Sequence, residues 1–574
     1  MKLHGHYLRL HSRYGAEAEA ELTLDELAGA LDCTHRNAMN VIRSMVEHGW
    51  VEWISSRGRG RRSTLRFLAA PEEIASQSML KAMETNRHAI GRSLAQLQGH
   101  VRSAALQEHV QGWLLGYFGH STELRSNKRI DTLRLPLRQQ LQTVDPLSMN
   151  LLAESFVASH VFDGLVRRAN FAHADLSHGH GAEEILPGIA HAWEVDASRK
   201  RWTFYLRKEV LFHNGKIMTA DDVVFTLERL MGTSRRTLYS VIFKQIQSVR
   251  AVYPNVVEIE LIEPNELFLP LLCTSRAAIV PKELGQLGEL FGSRPIGTGP
   301  FQLTEMSDGG CVLEAFGSYF QGRAHLDRVE IVHVPWGLPK EAAEPSSPFH
   351  LIHNPAEAGS GGWSQIHSRT TVRKFVTCNT QKAGVMSDPE LRARLLTCLR
   401  EDDSSASGGP ERTSTHRANA ISIAIATIEP YRHDAEVLAG RLEKHGYSCT
   451  VATASVEDFK GPIRLESDLI VFSLLRDQDE QLRQFDLYQT MSAHIEPHTR
   501  LDIEKRLQAV ARQADSERRA MLFQEIEELL IREHQLHILY ERPVQTAYMP
   551  SVRGVTFNSQ GWVDLRHVWF PPGT

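Results

Sequence analysis

The residues of this chain that are best suited to binding chemistry form two groups near its N-terminus. The first group combines hydroxyl, imidazole, guanidinium and amide side chains, at Thr34, His35, Arg36, Asn37, Asn40 and Arg43. Arginine and asparagine form paired hydrogen bonds with the edges of guanine and adenine. The second group consists of guanidinium side chains in a glycine-containing turn, at Arg57, Arg59, Arg61 and Arg62. Such groups bind phosphates or enter the minor groove, so the two groups together predict binding to double-stranded DNA.

Two short helices are predicted to position the first group. Thr23, with Glu26 three residues later, forms a capping box, and the apolar spacing behind it predicts a helix that ends at Leu31. Thr34 is predicted to cap a second helix that ends at Gly49. The buried face of this second helix is formed by Ala38, Val41, Ile42 and Met45. Two helices joined in this way are typical of a helix-turn-helix, whose second helix enters the major groove.

A basic hairpin is predicted to carry the second group. Residues 50–54 and 64–68 have strand character, and the turn between them, residues 55–63, reads SSRGRGRRS. From Thr34 to Leu68 there are seven arginines against two glutamates, whereas the whole chain has a net charge of -5. A hairpin directly after the recognition helix predicts a winged helix. The alternative is a solvated hairpin with a charged tip.

The helical stretch that follows, residues 71–118, has two interpretations. We expect a connector between the winged helix and the rest of the chain. The alternative is a contact between two copies in a homodimer, because dimers commonly bind palindromic half-sites.

Length and composition indicate several domains of an ordinary globular kind. The chain has 574 residues, 42% hydrophobic and 23% charged, which is too long for a single core. Its six cysteines are scattered without a CxxC pair, which fits reduced thiols better than a disulfide framework or a zinc site. The first residues lack the apolar core of an export signal, and no run of about 18 apolar residues occurs. We therefore expect a cytoplasmic protein without membrane insertion.

We find no catalytic or cofactor-binding motif in the sequence. Neither G-x-S-x-G nor H-E-x-x-H occurs. The HGHG run at residues 178–181 could bind a metal, but a polar loop explains it better. Asp221 and Asp222 are explained as charges at a helix start. The prediction is a protein without enzymatic activity, metal or cofactor.

A series of motifs after residue 119 resembles the family 5 extracellular solute-binding proteins of ABC importers. In chain order the blocks are FDGL, LPGIAHAW, WTFYLR, FHNGK, TADDV, GTGPF and a terminal GWVDL. The resemblance covers the chain from residue 119 onward and implies two α/β lobes that close on a ligand.

The second lobe departs from the family pattern. A polar stretch, residues 401–417, interrupts it, and the lobe is predicted to be short. Peptide-binding members carry an aspartate for the ligand amine in a stretch with Trp, Tyr and Pro. Here the corresponding stretch contains Asp477 without those three residues. The predicted ligand contacts are Asp145, His160, His213, Asn214, Trp363 and Asp477. The expected solute is a sugar, a sugar phosphate or a peptide-like molecule.

A winged helix joined to an unexported solute-binding module resembles the SgrR-type transcriptional regulators. The predicted fold is an α/β multidomain chain, with an N-terminal winged helix-turn-helix before a two-lobed, type II periplasmic-binding-protein-like module. The predicted limits are residues 1–70 for the winged helix, 71–118 for the connector, 119–372 and 496–574 for the first lobe, and 373–495 for the second lobe. The implied function is regulation of a transport or metabolic operon in response to a solute. The alternative is a transporter-associated binding protein whose N-terminal domain contacts a protein partner.

Overall fold

The computed structural model describes residues 2–15, 19–56, 62–75, 77–78, 117–137, 140–172, 184–233, 237–286, 288–333, 350–352, 364–399, 421–548 and 551–572. Its N-terminal elements are α1 (Lys2–Tyr14), β1 (Glu19–Leu22), α2 (Leu24–Leu31), α3 (His35–Glu47), β2 (Val51–Ile54) and β3 (Ser63–Phe67). The strands form a sheet in the order β1-β3-β2, with both pairings antiparallel. This is a winged helix, as predicted. The strand β1 was not predicted, because four residues reading EAEL carry no clear strand pattern.

Local side-chain chemistry explains where the two helices of the winged helix begin and end. The backbone N–H of Thr23 donates to Glu26 Oε2 at 2.8 Å, and the N–H of Glu26 donates to Thr23 Oγ1 at 3.2 Å, which completes the predicted capping box. Asp32 ends α2 in the left-handed region, at φ 50°. The N–H of Asn37 then donates to Thr34 Oγ1 at 3.4 Å, so the second predicted cap is also present.

The first lobe is built around a five-stranded and a four-stranded sheet and the helices that cover them. Its elements are β4 (Gly119–Arg125), β5 (Lys128–Leu137), α4 (Leu152–Val161), β6 (Val166–Arg168), β7 (Phe171–Ala172), β8 (Ile185–Pro187), β9 (Ala190–Val195), β10 (Arg201–Leu206), α5 (Ala220–Met231), α6 (Ser240–Phe243), β11 (Ile246–Tyr253), β12 (Val256–Leu261), α7 (Phe268–Leu271), β13 (Phe301–Ser307), β14 (Gly310–Ala315) and β15 (Arg328–His333). One sheet has the order β13-β14-β15-β5-β4 and the other the order β11-β12-β10-β9.

The second lobe is built around a six-stranded sheet. The remaining elements are β16 (His350–Ile352), β17 (Ser364–Cys378), α8 (Pro389–Thr397), β18 (Ser422–Ile428), α9 (Arg432–Lys444), β19 (Ser448–Ala454), α10 (Val456–Lys460), β20 (Leu469–Arg476), α11 (Glu480–Met491), α12 (Pro497–Arg512), α13 (Ser516–Arg532), β21 (Leu536–Tyr548) and β22 (Thr556–Phe557). The sheet order is β16-β21-β17-β20-β18-β19. Strand β18 pairs in parallel with β19 and β20, and α9 connects β18 to β19, so these elements form a βαβ unit.

The strand β21 lies in this second sheet, although the sequence placed its residues in the return to the first lobe. It pairs antiparallel with β17 from Leu536 opposite Thr377 to Tyr548 opposite Ser364. The chain then reaches the first lobe, where β22 pairs with β7. Strand pairing between segments so far apart in the sequence leaves no local signal, so the pattern of β21 alone could not name its partner. The domain limits and the shortening of the second lobe remain predictions.

Three apolar clusters join these parts of the chain. The cluster of the winged helix includes Tyr7 and Leu27 and continues into Tyr117, Phe118 and Val332 at the edge of the first lobe. A second cluster fills the five-stranded sheet of the first lobe and takes in the C-terminal segment around residues 562–570. The largest cluster connects the four-stranded sheet with helices α11, α12 and α13. Among the described residues, no helix is long and apolar enough to cross a membrane.

Candidate DNA-binding surface and interlobe cavity

Helix α3 presents a polar face to solvent. Ala38, Ile42 and Met45 are buried beneath it, and Arg36 and Asn40 are exposed on the outside, one turn apart. Arg43 continues the exposed stripe, and Asn37 lies beside it. Among the described residues, neither Arg36 nor Arg43 has an ion-pair partner. These guanidinium and amide groups are therefore available for base edges and phosphates.

Two of the predicted DNA contacts have a second role inside the domain. Thr34 caps α3 through the N–H of Asn37. His35 Nε2 lies 2.7 Å from Asp25 Oδ1, with 56% and 85% of the two side chains exposed. That contact ties the start of α3 to the first turn of α2. An exposed pair of this kind contributes little to stability.

The wing is described only in part. Arg57, Arg59 and Arg61 lie outside the described residues. Arg62 Nη2 lies 3.4 Å from Glu26 Oε1, so this arginine contacts α2. On β3, the guanidinium of Arg66 contacts Glu19 on one side and Glu52 at 3.0 Å on the other, and this bridges all three strands. The predicted contacts of the wing with DNA remain predictions.

The predicted ligand contact Asp145 is used inside the first lobe. Its carboxylate accepts two hydrogen bonds from the guanidinium of Arg229, at 2.7 and 2.5 Å. It also accepts the backbone N–H of Leu147 at 3.0 Å. The side chain of Asp145 is 10% exposed. This paired arrangement fixes the turn after β5 against helix α5.

The two predicted histidine contacts are also buried among backbone groups. His160 Nδ1 lies 2.8 Å from the carbonyl oxygen of Phe156, and its Nε2 accepts the N–H of Leu565 at 3.1 Å. His213 Nε2 donates to the carbonyl oxygen of Gly299 at 3.0 Å. Burial lowers the pKa of both imidazoles. Asn214, in contrast, is exposed and accepts the N–H of Lys216 at 3.1 Å through Oδ1.

Asp477 lies at the boundary between the lobes. Its carboxylate accepts two hydrogen bonds from Arg483, of which Nη2 to Oδ2 is 2.9 Å long. Arg483 lines the cavity between the lobes that is described below, whereas Asp477 does not line that cavity. Trp363 lies outside the described residues. The structure thus does not bring the predicted ligand contacts together in one place, and their role in ligand binding remains a prediction.

A cavity of about 240 Å³ lies between the two lobes. The first lobe supplies part of its wall through Asn150, Leu151, Leu152, Ser155, Leu238 and Arg276. The second lobe supplies the rest through β17, β18, α10, β20 and α11, with side chains that include Tyr431, Phe459, Lys460, Phe472, Arg483 and Asp486. Clefts between domains are the usual place for small-molecule sites. Sequence reasoning missed this set because its members are scattered along most of the chain and belong to no motif.

Direct contacts connect the lobes around this cavity. Lys460 Nζ donates to Asn150 Oδ1 at 3.0 Å. The backbone N–H of Tyr239 donates to Asp486 Oδ1 at 2.8 Å. Burial raises the pKa of the Asp486 carboxyl. For Arg483, burial acts to lower the guanidinium pKa, but Asp477, Tyr239 and Asp479 together outweigh it and the net shift is upward, so this group stays charged.

Comparison with known proteins identifies both parts of the chain. Residues 2–114 match the family described as Sugar transport-related sRNA regulator N-term. Residues 184–342 match Bacterial extracellular solute-binding proteins, family 5 Middle. The HTH-type transcriptional regulator SgrR of Pectobacterium atrosepticum is 27% identical over 591 residues, covering 100% of this chain and 99% of the relative. The chain has the domain organisation of an SgrR-type regulator.

Other relatives support the same organisation. SgrR of Yersinia enterocolitica is 25% identical over 602 residues, covering 100% of this chain and 99% of its own length. The protein YhjP of Bacillus subtilis is 27% identical over 602 residues, covering 99% of this chain and the whole relative. The predicted resemblance to the SgrR-type regulators is therefore confirmed.

Solved structures show the fold of the solute-binding part. The peptide complex of the periplasmic binding protein DppA from Helicobacter pylori superposes with a TM-score of 0.61 at 18% identity, covering 76% of this chain and 98% of DppA. The nonapeptide complex of AppA from Bacillus subtilis gives a TM-score of 0.60 at 16% identity, covering 77% and 99%. At these identities the likeness extends to the fold alone, and it confirms the predicted fold class.

The two matched segments of the chain correspond to the two surfaces described above. The N-terminal match contains the exposed face of α3. The family 5 match contains Arg276 of the cavity wall, together with the FHNGK turn at residues 212–216. The exposed face of α3 and Arg276 of the cavity wall thus lie in separate matched segments of one chain.

Proposed function

We propose that this chain is a cytoplasmic DNA-binding transcriptional regulator that binds a small solute between its two lobes and controls a transport or metabolic operon. The observation that carries the proposal is the exposed Arg36, Asn40 and Arg43 stripe of α3 on a winged helix, joined in one chain to a solute-binding fold. The similarity to SgrR regulators over the full length supports it.

The proposed mechanism requires only that the solute binds two arrangements of the lobes with different affinities. A solute that binds more tightly to the arrangement in which both lobes line the cavity shifts the population toward that arrangement. The winged helix shares an apolar cluster with Tyr117, Phe118 and Val332, so a movement of the first lobe edge can reach α3. Solute binding and DNA binding are then coupled, and each changes the affinity of the other by the same factor.

The test is a titration of a fluorescent DNA duplex from the region upstream of the gene with the full chain. The variant carrying Arg36→Ala and Arg43→Ala removes two exposed cations from α3. Removing an arginine that binds a base edge costs about 1–3 kcal/mol, and removing one that binds a phosphate makes the salt dependence of binding shallower by about one in the log–log slope. We expect at least tenfold weaker binding for the double variant, measured by fluorescence anisotropy at two salt concentrations.

The matched control is Arg518→Ala, which removes an exposed arginine from α13, outside the winged helix. It should bind the duplex as the unaltered chain does. Equal affinities for the unaltered chain and the α3 double variant would contradict the proposal. They would favour an N-terminal domain that contacts a protein instead.

A further inference from the structure

The cavity between the lobes contains a positive charge that the protein itself does not pair. Arg276 lies in a short 3-10 turn, Ser275–Ala277, and only 5% of the residue is exposed. Its Nη1 atom has no hydrogen-bond partner among the described residues, and within those residues the guanidinium has no ion pair. Burial lowers the pKa of Arg276 to about 10, so the group stays charged at neutral pH. Burying a charge without a partner is costly.

The two carboxylates that act on Arg276 through space, Glu154 and Asp486, are already engaged. Glu154 accepts four backbone N–H groups from residues 142–151, at distances between 2.6 and 3.2 Å. Asp486 accepts the N–H of Tyr239 at 2.8 Å. Both carboxylates favour the charged form of Arg276 through space, but among the described residues neither forms a hydrogen bond with its Nη1 atom. This donor of Arg276 therefore lacks an acceptor within the described part of the protein.

The rest of the cavity adds further charged groups and an apolar wall. Lys460 and Arg483 also line it, but Arg483 is paired with Asp477, so two cations, Arg276 and Lys460, stand against the carboxylate of Asp486 among the described lining residues. The lining also includes the aromatic rings of Phe459 and Phe472. A wall of this composition favours a molecule with an anionic end and an apolar body.

We infer that Arg276 binds the anionic group of the solute, and that the solute is a small organic anion whose apolar part contacts the rings of the second lobe. This inference rests on the proposed function for the role of the cavity as the sensing site. A carboxylate and a phosphate present the same acceptor geometry to a guanidinium. A neutral sugar would leave the buried charge unpaired. Since Arg276 belongs to the first lobe and the rings to the second, such an anion would contact both lobes at once.

The test measures the melting temperature of the full chain with small probes at constant ionic strength. Benzoate and phenyl phosphate are the two anionic arms, inorganic phosphate is the minimal anion, and benzamide is the neutral counterpart of benzoate. A ligand that binds only the folded state raises the melting temperature with its concentration. We expect at least one anion to do so at millimolar concentration, benzamide to have no effect, and Arg276→Met to abolish the rise. Whichever of benzoate and phenyl phosphate gives the larger rise in melting temperature indicates whether the ligand carries a carboxylate or a phosphate.

The melting temperatures without any probe separate a binding role from a structural one. Replacing an unpaired buried charge by an apolar side chain of similar length should raise the melting temperature of Arg276→Met. The matched control is Arg519→Met. Arg519 is also buried, but it donates to Gln481 Oε1 and to the carbonyl oxygens of Gln513 and Ala514, each at 2.8 Å. Losing those bonds should lower the melting temperature.

Three outcomes would overturn the inference. The first is a melting temperature of Arg276→Met that is lowered as in Arg519→Met. The second is a rise in melting temperature with benzamide equal to that with the anions, and the third is no rise with any anion.

The double variant Arg36→Ala and Arg43→Ala serves as the link to the proposed function. It should lose DNA affinity and keep the rise with anions, so a failure of anion binding and a failure of DNA binding are seen separately.

Discussion

His213 is held between two backbone groups of the turn that contains Gly297 and Gly299. Its Nε2 donates to the carbonyl oxygen of Gly299 at 3.0 Å, and its Nδ1 accepts the N–H of Gly297 at 3.3 Å. A neutral imidazole can make one bond of each kind, whereas a protonated one cannot accept. Burial lowers the pKa of His213 to about 4. The FHNGK motif thus joins two turns of the first lobe.

This environment predicts that His213 makes the chain less stable in acid. Below pH 6.5 the unfolded chain binds a proton at His213, while the folded chain remains neutral there until about pH 4. Stability therefore falls as the pH is lowered, by ~2 kcal/mol at pH 5 from this residue. In His213→Asn this contribution is absent. The stability difference between the unaltered chain and the variant should shrink from pH 7.5 to pH 5, as measured by urea unfolding.

The control for this experiment is His191→Asn, since His191 is exposed on β9. This change should cost little at any pH. A stability difference for His213→Asn that stays constant between pH 7.5 and pH 5 would contradict the prediction.

At the scale of elements, the capping box of α2 supports the proposed DNA-binding surface of α3. Thr23 and Glu26 satisfy each other's backbone N–H groups at the start of α2. Helix α2 packs against α3 through Leu27 and Leu31, which lie in the same cluster as Ile42. An N-terminal cap of this kind contributes about 1 kcal/mol.

Thr23→Ala should therefore increase local unfolding of α2 without changing any side chain on the exposed face of α3. A loss of about 1 kcal/mol corresponds to roughly fivefold faster exchange of the protected amide hydrogens in residues 24–31, if exchange follows local opening. Hydrogen exchange followed by mass spectrometry measures this. Thr23→Ser keeps the hydroxyl and should exchange as the unaltered chain does. Equal exchange in all three proteins would show that the cap does not limit the opening of α2.

The elements that could be predicted from the sequence are those with local signals. Thr23 and Thr34 mark helix starts by their own side chains, and both cap helices in the structure. The winged helix could be predicted because its elements are neighbours in sequence and each begins or ends at a recognisable residue.

What could not be predicted depends on contacts between distant residues. The sequence of strand β21 contains no local signal that this strand pairs with β17. Asp145 and His160 have side chains suited to a ligand, but burial and a partner such as Arg229 decide their role. Arg276 belongs to no motif, and only the folded chain shows that it lines a cavity. Residue type gives the possible chemistry, and the long-range packing selects among the possibilities.

At the scale of the whole molecule, a buried ion pair connects the two lobes. Arg168, on β6 of the first lobe, donates from Nε to Asp479 Oδ1 at 3.2 Å, and the side chains are 4% and 3% exposed. Asp479 precedes helix α11 of the second lobe. Ser559 of the C-terminal segment donates to the other carboxylate oxygen at 3.4 Å. If the lobes separate, both charged groups are hydrated again. Burial of either group in the contact between the lobes is therefore favourable only while its partner is present.

Asp479→Asn should therefore shift the chain toward an arrangement with separated lobes. The substitution removes the counter-charge of the buried Arg168 guanidinium, which costs about 3–5 kcal/mol in the arrangement with contact and little once the lobes separate. The expected result is a larger radius of gyration in small-angle X-ray scattering, with an unchanged circular dichroism spectrum. Asp221→Asn is the control, since that exposed carboxylate binds Lys282 within the first lobe. An unchanged radius of gyration in Asp479→Asn would mean that the apolar cluster between the lobes, and not this pair, holds them together.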